Sequence, residues 1–136
     1  MKVLIIGGTR FIGKQVAQQL VATGHDVAVF HRGQTEADLP SSVRHILGDR
    51  QQLSDFRDEF KRFAPQVVLD MIAYVEQDAV AVMQTFRGIA ERVVAISSQD
   101  VYRTYGILWR REITSQTSHP SAKMRPCVAF CIRIAR

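Results

Sequence analysis

The residues best suited to chemistry in this chain form a glycine-rich segment near its start, Gly7-Gly8-Thr9-Arg10-Phe11-Ile12-Gly13. The segment follows the apolar run of residues 3–6 and leads into helically spaced apolar residues. Glycines let a ligand approach the backbone closely, and a helix N-terminus presents unpaired N–H groups to an anion. The segment therefore predicts a site for the pyrophosphate of a dinucleotide cofactor; the alternative is a purely structural turn.

The end of the second predicted strand, residues 27–30, carries the next informative group. It is followed by His31-Arg32-Gly33, and no carboxylate occurs before Glu36. A carboxylate at this place accepts hydrogen bonds from the ribose hydroxyls of NAD, whereas an arginine can pair with the 2′-phosphate of NADP. The sequence favours NADP over NAD, and a solvated surface arginine is the alternative interpretation of Arg32.

The elements that must position these groups follow an alternating pattern. Short apolar, β-branched runs predict five strands, at residues 3–6, 27–30, 43–47, 67–69 and 93–96. Helical spacing predicts three helices, marked by Ile12, Val16, Leu20 and Val21, by Leu53, Phe56, Phe60 and Phe63, and by Ala79, Val82, Met83 and Phe86. Gly24, Pro65 and Gly88 are expected to end them. Four crossovers joining five strands predict an α/β fold with a doubly wound parallel sheet.

Five short segments together resemble a known family. They are GGTRFIG at 7–13, HRG at 31–33, GDR at 48–50, DMIAY at 70–74 and SSQDVYRTYG at 97–106. In this order and spacing they resemble the short-chain dehydrogenase/reductases, in the extended or atypical epimerase/dehydratase branch. The resemblance implies a Rossmann-like NAD(P)-binding fold. Look-alikes with a GGTRFIG turn include chloroplast stem-loop RNA-binding proteins.

The resemblance also implies which residues contact the cofactor. Gly7 and Gly13 carry over firmly and Gly8 is their neighbour, but most extended members have a glycine where Arg10 stands. NADP-using relatives often carry a basic residue at that place; a solvated surface arginine is the alternative for Arg10 as well. Asp49, beside Arg50, resembles the family's adenine-contacting aspartate; a helix N-cap is the alternative. Asp70 and Ala73 end the fourth strand, where relatives line the nicotinamide side. The cofactor-binding set implied for this chain is Gly7, Gly8, Thr9, Arg10, Phe11, Ile12, Gly13, His31, Arg32, Asp49, Arg50, Asp70 and Ala73.

The catalytic residues that the resemblance implies are incomplete. Ser98 matches the family's catalytic hydroxyl, with a structural turn serine as the alternative. The family also uses a tyrosine followed four residues later by a lysine, which favours the phenolate. None of Tyr74, Tyr102 and Tyr105 has a lysine at that spacing. We therefore expect a chain that is inactive as it stands and that ends before the second half of the fold.

Composition limits the partners. The chain has 136 residues and a net charge of +5, but residues 1–100 carry −1 and residues 101–136 carry +6. Strong phosphate-backbone binding needs clustered Lys and Arg, so a nucleic-acid partner is not expected. Apolar runs of four or five residues are too short to cross a membrane, and no secretory apolar segment follows Met1, which predicts a cytoplasmic location.

The last residues differ from the rest. Back-translated with permitted codons and read two nucleotides later, residues 121–135 give SEDAPLRSVLYPYR, which resembles the continuation of GGTRFIG-type relatives. We interpret residues 1–120 as the N-terminal part of an NAD(P)-binding Rossmann domain and residues 121–136 as an out-of-frame tail. Cys127 and Cys131 alone do not make a metal site. Residues 127–134 are apolar and β-prone, and could pair with the fifth strand.

Two functions remain after these observations. The first is an NAD(P)-binding fragment of an epimerase/dehydratase-like oxidoreductase, whose substrate would be a nucleotide-sugar or a related carbonyl compound. The second is a non-catalytic RNA-binding or regulatory member of the same fold. Neither the substrate nor the oligomeric state follows from the sequence.

Overall fold

The computed structural model describes residues 1–35, 38–96 and 130–133. Its strands are β1 (Lys2–Ile6), β2 (Asp26–His31), β3 (Arg44–Leu47), β4 (Val67–Asp70), β5 (Arg92–Ala95) and β6 (Phe130–Arg133). Its helices are α1 (Phe11–Ala22), α2 (Arg57–Phe63) and α3 (Glu76–Phe86), and a 3₁₀ segment (Arg50–Phe56) precedes α2. None of the helices in this part of the chain has the length and apolar character needed to cross a bilayer.

The strands form one sheet in the order β3-β2-β1-β4-β5-β6, and β1 to β5 are parallel. The chain leaves β1 toward β2 on one side, and later returns through β4 to the other side of β1. This reversal of direction is the switch point at which open α/β sheets bind ligands. The predicted doubly wound parallel sheet is thus confirmed.

Both faces of the sheet are buried, which explains the continuous apolar runs of the strands. On one face, the strand residues Leu4, Ile6 and Phe30 form a core with Phe60 of α2 and Phe86 of α3. On the opposite face, the strand residues Val3, Ile5, Val27 and Val29 form a core with Ala17 of α1. Consecutive residues of β1 therefore alternate between two apolar cores, as the period of two in a strand requires.

The structure differs from the predicted elements at two places. The second predicted helix is a 3₁₀ segment, with non-helical backbone angles at Gln52, followed by α2. Ile12, predicted on the core face of α1, is 64% exposed because it lies in the first turn, beside the cavity described below.

The sixth strand adds an antiparallel edge. In its register, Val93 lies opposite Ile132 and Ala95 lies opposite Phe130. The expected pairing of residues 127–134 with the fifth strand is confirmed for residues 130–133.

Candidate functional site

A cavity of about 610 Å³ opens at the carboxyl ends of the strands, at the switch point between β1 and β4. Its walls come from the turn after β1, the end of β2, the segment after β3 and the segment after β4. Predicted site residues among its lining are Gly7, Thr9, Arg10, Phe11, Ile12, Gly13, His31, Arg32, Asp49 and Arg50. The structure therefore brings together residues that are as much as 43 positions apart in the chain.

The turn after β1 is too tight for side chains at two of its glycines. Gly7 has a φ of +81°, which side-chain-bearing residues rarely adopt, and a Cβ there would lie 2.8 Å from Ile72 Cγ2. A Cβ on Gly13 would lie 2.8 Å from both the Gly7 carbonyl oxygen and Gly8 Cα. The first turn of α1 therefore packs directly on the backbone of the glycine segment.

The start of α1 is suited to an anion. Arg10 is the N-cap in an extended conformation, its side chain makes no capping hydrogen bond, and the first turn holds no acidic residue. Phe11 follows with a φ of +42° and is 88% exposed. The N–H groups and the positive end of the helix dipole are thus available to a phosphate. This backbone arrangement, with glycines where a Cβ would intrude, fits a dinucleotide pyrophosphate.

Three side chains spaced four residues apart, at the N-cap and on α1, hold the β2–β3 connection against the helix. Arg10 Nε donates to Thr35 Oγ1 at 3.0 Å, and Lys14 Nζ lies 3.1 Å from Asp38 Oδ2. Gln18 Nε2 donates to the Asp38 carbonyl oxygen at 3.1 Å. Residues at this spacing share one helix face. Arg10 is therefore held against the segment that follows Arg32, and both arginines line the cavity.

His31, at the end of β2, makes a histidine pair with His45 of β3. Gly33 N–H donates to His31 Nδ1 at 3.2 Å, so His31 carries its proton on Nε2, which lies 2.8 Å from His45 Nδ1. Burial and the neighbouring His45 lower the pKa of His31 below its usual value. The lowered pKa favours the neutral form of the His31 imidazole at this end of the cavity.

Arg50, after β3, lies at the centre of an ionic cluster. Its Nη1 and Nη2 donate to the two carboxylate oxygens of Asp70 at 2.6 and 2.8 Å. Its Nε lies 3.1 Å from Asp78 Oδ1, without the angle of a hydrogen bond. Burial lowers the pKa of Arg50, but the hydrogen bonds to Asp70 and the negative charges of Asp70 and Asp78 outweigh burial and raise the pKa overall.

The remaining predicted site residues have other positions. Asp49 caps the 3₁₀ segment, because its Oδ1 accepts from Gln51 N–H at 2.8 Å, and it also lines the cavity. Gly8, Asp70 and Ala73 are not part of the lining, and Asp70 is buried against Arg50. Ser98 lies outside the described residues.

Sequence reasoning missed several lining residues, among them Gly48, Ile72, Tyr74 and Asp78. Gly48 and the DMIAY segment were noted only as parts of a resemblance. A usable signal was their place directly after predicted parallel strands, whose carboxyl ends form one edge of the sheet. Within the described part of the chain, no group of three His, Cys, Asp or Glu side chains could hold a metal ion.

A comparison with family models agrees with this geometry. Residues 3–98 match the NAD dependent epimerase/dehydratase family, so the chain belongs to that family and has its NAD-binding fold.

Two curated relatives are similar over most of this chain. The chloroplast stem-loop binding protein of 41 kDa b from Arabidopsis thaliana is 29% identical over 120 residues, 79% of this chain and 32% of the relative. The 2′-dehydrokanamycin reductase of Streptomyces kanamyceticus is 31% identical over 98 residues, 72% of this chain and 28% of the relative. The chain thus spans about a third of the length of each.

Solved structures share the fold. The Bordetella bronchiseptica enzyme WbmG, in complex with NAD, superposes with a TM-score of 0.60 at 19% identity over 70% of this chain and 36% of its own. The UDP-glucose 4-epimerase of Thermus thermophilus, also in complex with NAD, gives 0.57 at 23% identity, over 65% of this chain and 35% of its own.

Proposed function

We propose that this chain binds NADP in the cavity at the switch point, as the cofactor-binding part of an epimerase/dehydratase-like oxidoreductase. The observation that carries the proposal is that two arginines, Arg10 and Arg32, both line a cavity built on a glycine turn. A nucleotide-sugar or related carbonyl compound would be the substrate, in keeping with family membership and with the UDP-glucose 4-epimerase among the similar structures.

The residues of this chain bind and orient the cofactor. The N–H groups at the start of α1 receive the pyrophosphate, and Gly7 and Gly13 let it approach the backbone. Thr35 holds Arg10 through Nε, so the guanidinium loses little freedom when its other nitrogens pair with a 2′-phosphate. The bound nicotinamide would supply hydride transfer to or from the substrate.

Ser98 is proposed as the hydroxyl that would polarise the substrate oxygen. Because no tyrosine is followed by a lysine four residues later, the chain would lack the proton-transferring pair and would bind cofactor without turnover.

Cofactor titration tests the proposal. We expect the unaltered chain to bind NADPH more tightly than NADH. Arg32→Ala and Arg10→Ala should each weaken NADPH binding by about 10- to 100-fold and leave NADH binding nearly unchanged, since a hydrogen bond to a charged group contributes about 1.5–3 kcal/mol.

The matched control is Arg62→Ala, which removes an exposed arginine in the last turn of α2. It should change the affinity for neither cofactor. If the Arg32 and Arg10 variants keep the NADPH-to-NADH ratio of the unaltered chain, recognition of the 2′-phosphate is wrong.

The second candidate is a non-catalytic RNA-binding role, favoured by the similarity to the chloroplast stem-loop binding protein. Against it, residues 1–100 carry a net charge of only −1. RNA binding that weakens with salt and persists in a chain ending at Pro120 would support this second candidate. NADPH binding without RNA binding would support the first.

A further inference from the structure

The cavity has two walls on opposite sides of β1, and they are joined by one side chain. The first wall follows β3 and includes Gly48, Asp49 and Arg50. The second follows β4 and includes Ile72 and Tyr74. In the sheet, β3 and β4 are separated by β2 and β1, so no backbone pairing links the two walls.

Arg50 makes the connection. Its guanidinium forms a bidentate pair with Asp70, the last residue of β4, and lies within ion-pair distance of Asp78 in α3. The side chain of Asp70 is almost fully buried, and that of Arg50 is 13% exposed. Breaking such a pair leaves a buried charge without compensation, so the two walls are held together more firmly than a surface ion pair would hold them.

Both carboxylates also hold the backbone of the second wall. Asp70 Oδ1 accepts from Ile72 N–H at 3.1 Å, and Asp78 Oδ2 accepts from Tyr74 N–H at 3.0 Å. Through these two carboxylates, a shift of Arg50 would move Ile72 and Tyr74, two of the residues that line the cavity after β4.

Ile72 also packs against the glycine turn after β1. A Cβ on Gly7 would lie 2.8 Å from Ile72 Cγ2, so this side chain sits directly against the turn that begins the cavity. A displacement of Ile72 would therefore alter the floor of the cavity between the two walls.

We propose that Arg50 is a positioning residue that fixes the spacing between the two walls, through Asp70 and Asp78, so that both halves of a dinucleotide fit at once. The proposal rests on the proposed function and on the placement that the family resemblance implies, with the adenosine half at the ends of β2 and β3 and the nicotinamide half beyond β4. In this proposal, Arg50 and Asp70 hold the two walls at a fixed spacing and do not contact the cofactor directly.

The test compares a whole dinucleotide with half of one. Dissociation constants for NADPH and for adenosine 2′,5′-diphosphate are measured for the unaltered chain and for Asp78→Asn and Arg50→Lys. Asp78→Asn keeps an oxygen acceptor for the Tyr74 N–H, and Arg50→Lys keeps the charge but loses the bidentate geometry. Cooperative urea unfolding of each variant checks that it is folded.

We expect NADPH binding to weaken by at least about tenfold in both variants, and binding of the half-cofactor to change by less than about twofold. A half-cofactor contacts one wall only and gains nothing from their spacing. The matched control is Asp58→Asn, which removes an exposed ion pair with Lys61 at 3.0 Å and should alter neither constant.

Equal weakening for both ligands, or no weakening for either, would overturn the positioning role while leaving the proposed function intact. An unaltered chain that binds neither ligand would overturn the proposed function, and the positioning role with it.

Discussion

Gly13 shows how a single residue determines the shape of the cavity. Its place in α1 brings the helix onto the backbone of Gly7 and Gly8, where no flexible side chain could move aside. The spacing of the glycines predicted a phosphate-binding turn here, whereas the packing of Gly13 on that turn is a finding of the structure. The Arg50–Asp70 pair could not be predicted either, since nothing in the sequence specifies that the first residue of a 3₁₀ segment meets the last residue of a strand twenty positions later.

We expect Gly13→Ala to lower the free energy of unfolding by about 1–3 kcal/mol and to weaken NADPH binding by more than about tenfold, because the new methyl group must displace backbone atoms. Urea unfolding and cofactor titration measure the two effects. Gly24→Asn is the matched control, since nothing lies within 4 Å of a Cβ there and asparagine tolerates its φ of +81°. An unchanged affinity in Gly13→Ala would contradict the assigned contact.

At the scale of elements, α2 and α3 are joined through Arg57, the first residue of α2. Its guanidinium donates to the carbonyl oxygens of Gln84, Thr85 and Arg87 at the end of α3. Those carbonyls belong to the last turn, where intrahelical partners run out. The apolar periodicity predicted both helices. It could not predict the 3₁₀ segment, which depends on the backbone at Gln52 and on capping by Asp49.

Arg57→Ala should lower the free energy of unfolding by about 1–3 kcal/mol, because it removes hydrogen bonds from a charged donor to otherwise unpaired carbonyls. The change is read from the midpoint of urea unfolding at a constant m value. Arg62→Ala, five positions further along α2, should shift the midpoint much less. Similar shifts for the two variants would show that the end of α3 does not depend on this contact.

At the scale of the whole molecule, different features of the sequence specify strands β1 to β5 and strand β6. The order and parallel direction of β1 to β5 follow from alternating apolar runs and helices, and the family match ends at residue 98. β6 pairs because its residues are apolar and β-prone, and backbone pairing at a sheet edge needs little more than that. Its presence in the sheet is thus compatible with our proposal that residues 121–136 are an out-of-frame tail.

The coding DNA tests that proposal directly. We expect the codons for Ala122–Ala135 to give a peptide close to SEDAPLRSVLYPYR in the shifted frame. Sequencing the locus beyond the codon for Pro120 would then show a longer reading frame, which can be searched for a Tyr and Lys pair. Codons that give an unrelated peptide, or an early stop, would show that the tail belongs to the chain as written.

The direction of β6 also has a consequence for the connection that precedes it. Because β5 runs toward the cavity and β6 runs away from it, Ile96 and Phe130 both lie at the cavity's end of the sheet. In the chain, residues 97–129 lie between these two antiparallel strands. Loop closure costs free energy that grows only with the logarithm of length, so shortening such a connection to a tight turn would recover only about 2 kcal/mol. The entropic penalty for pairing β6 with β5, although the two strands lie far apart in the chain, is therefore modest.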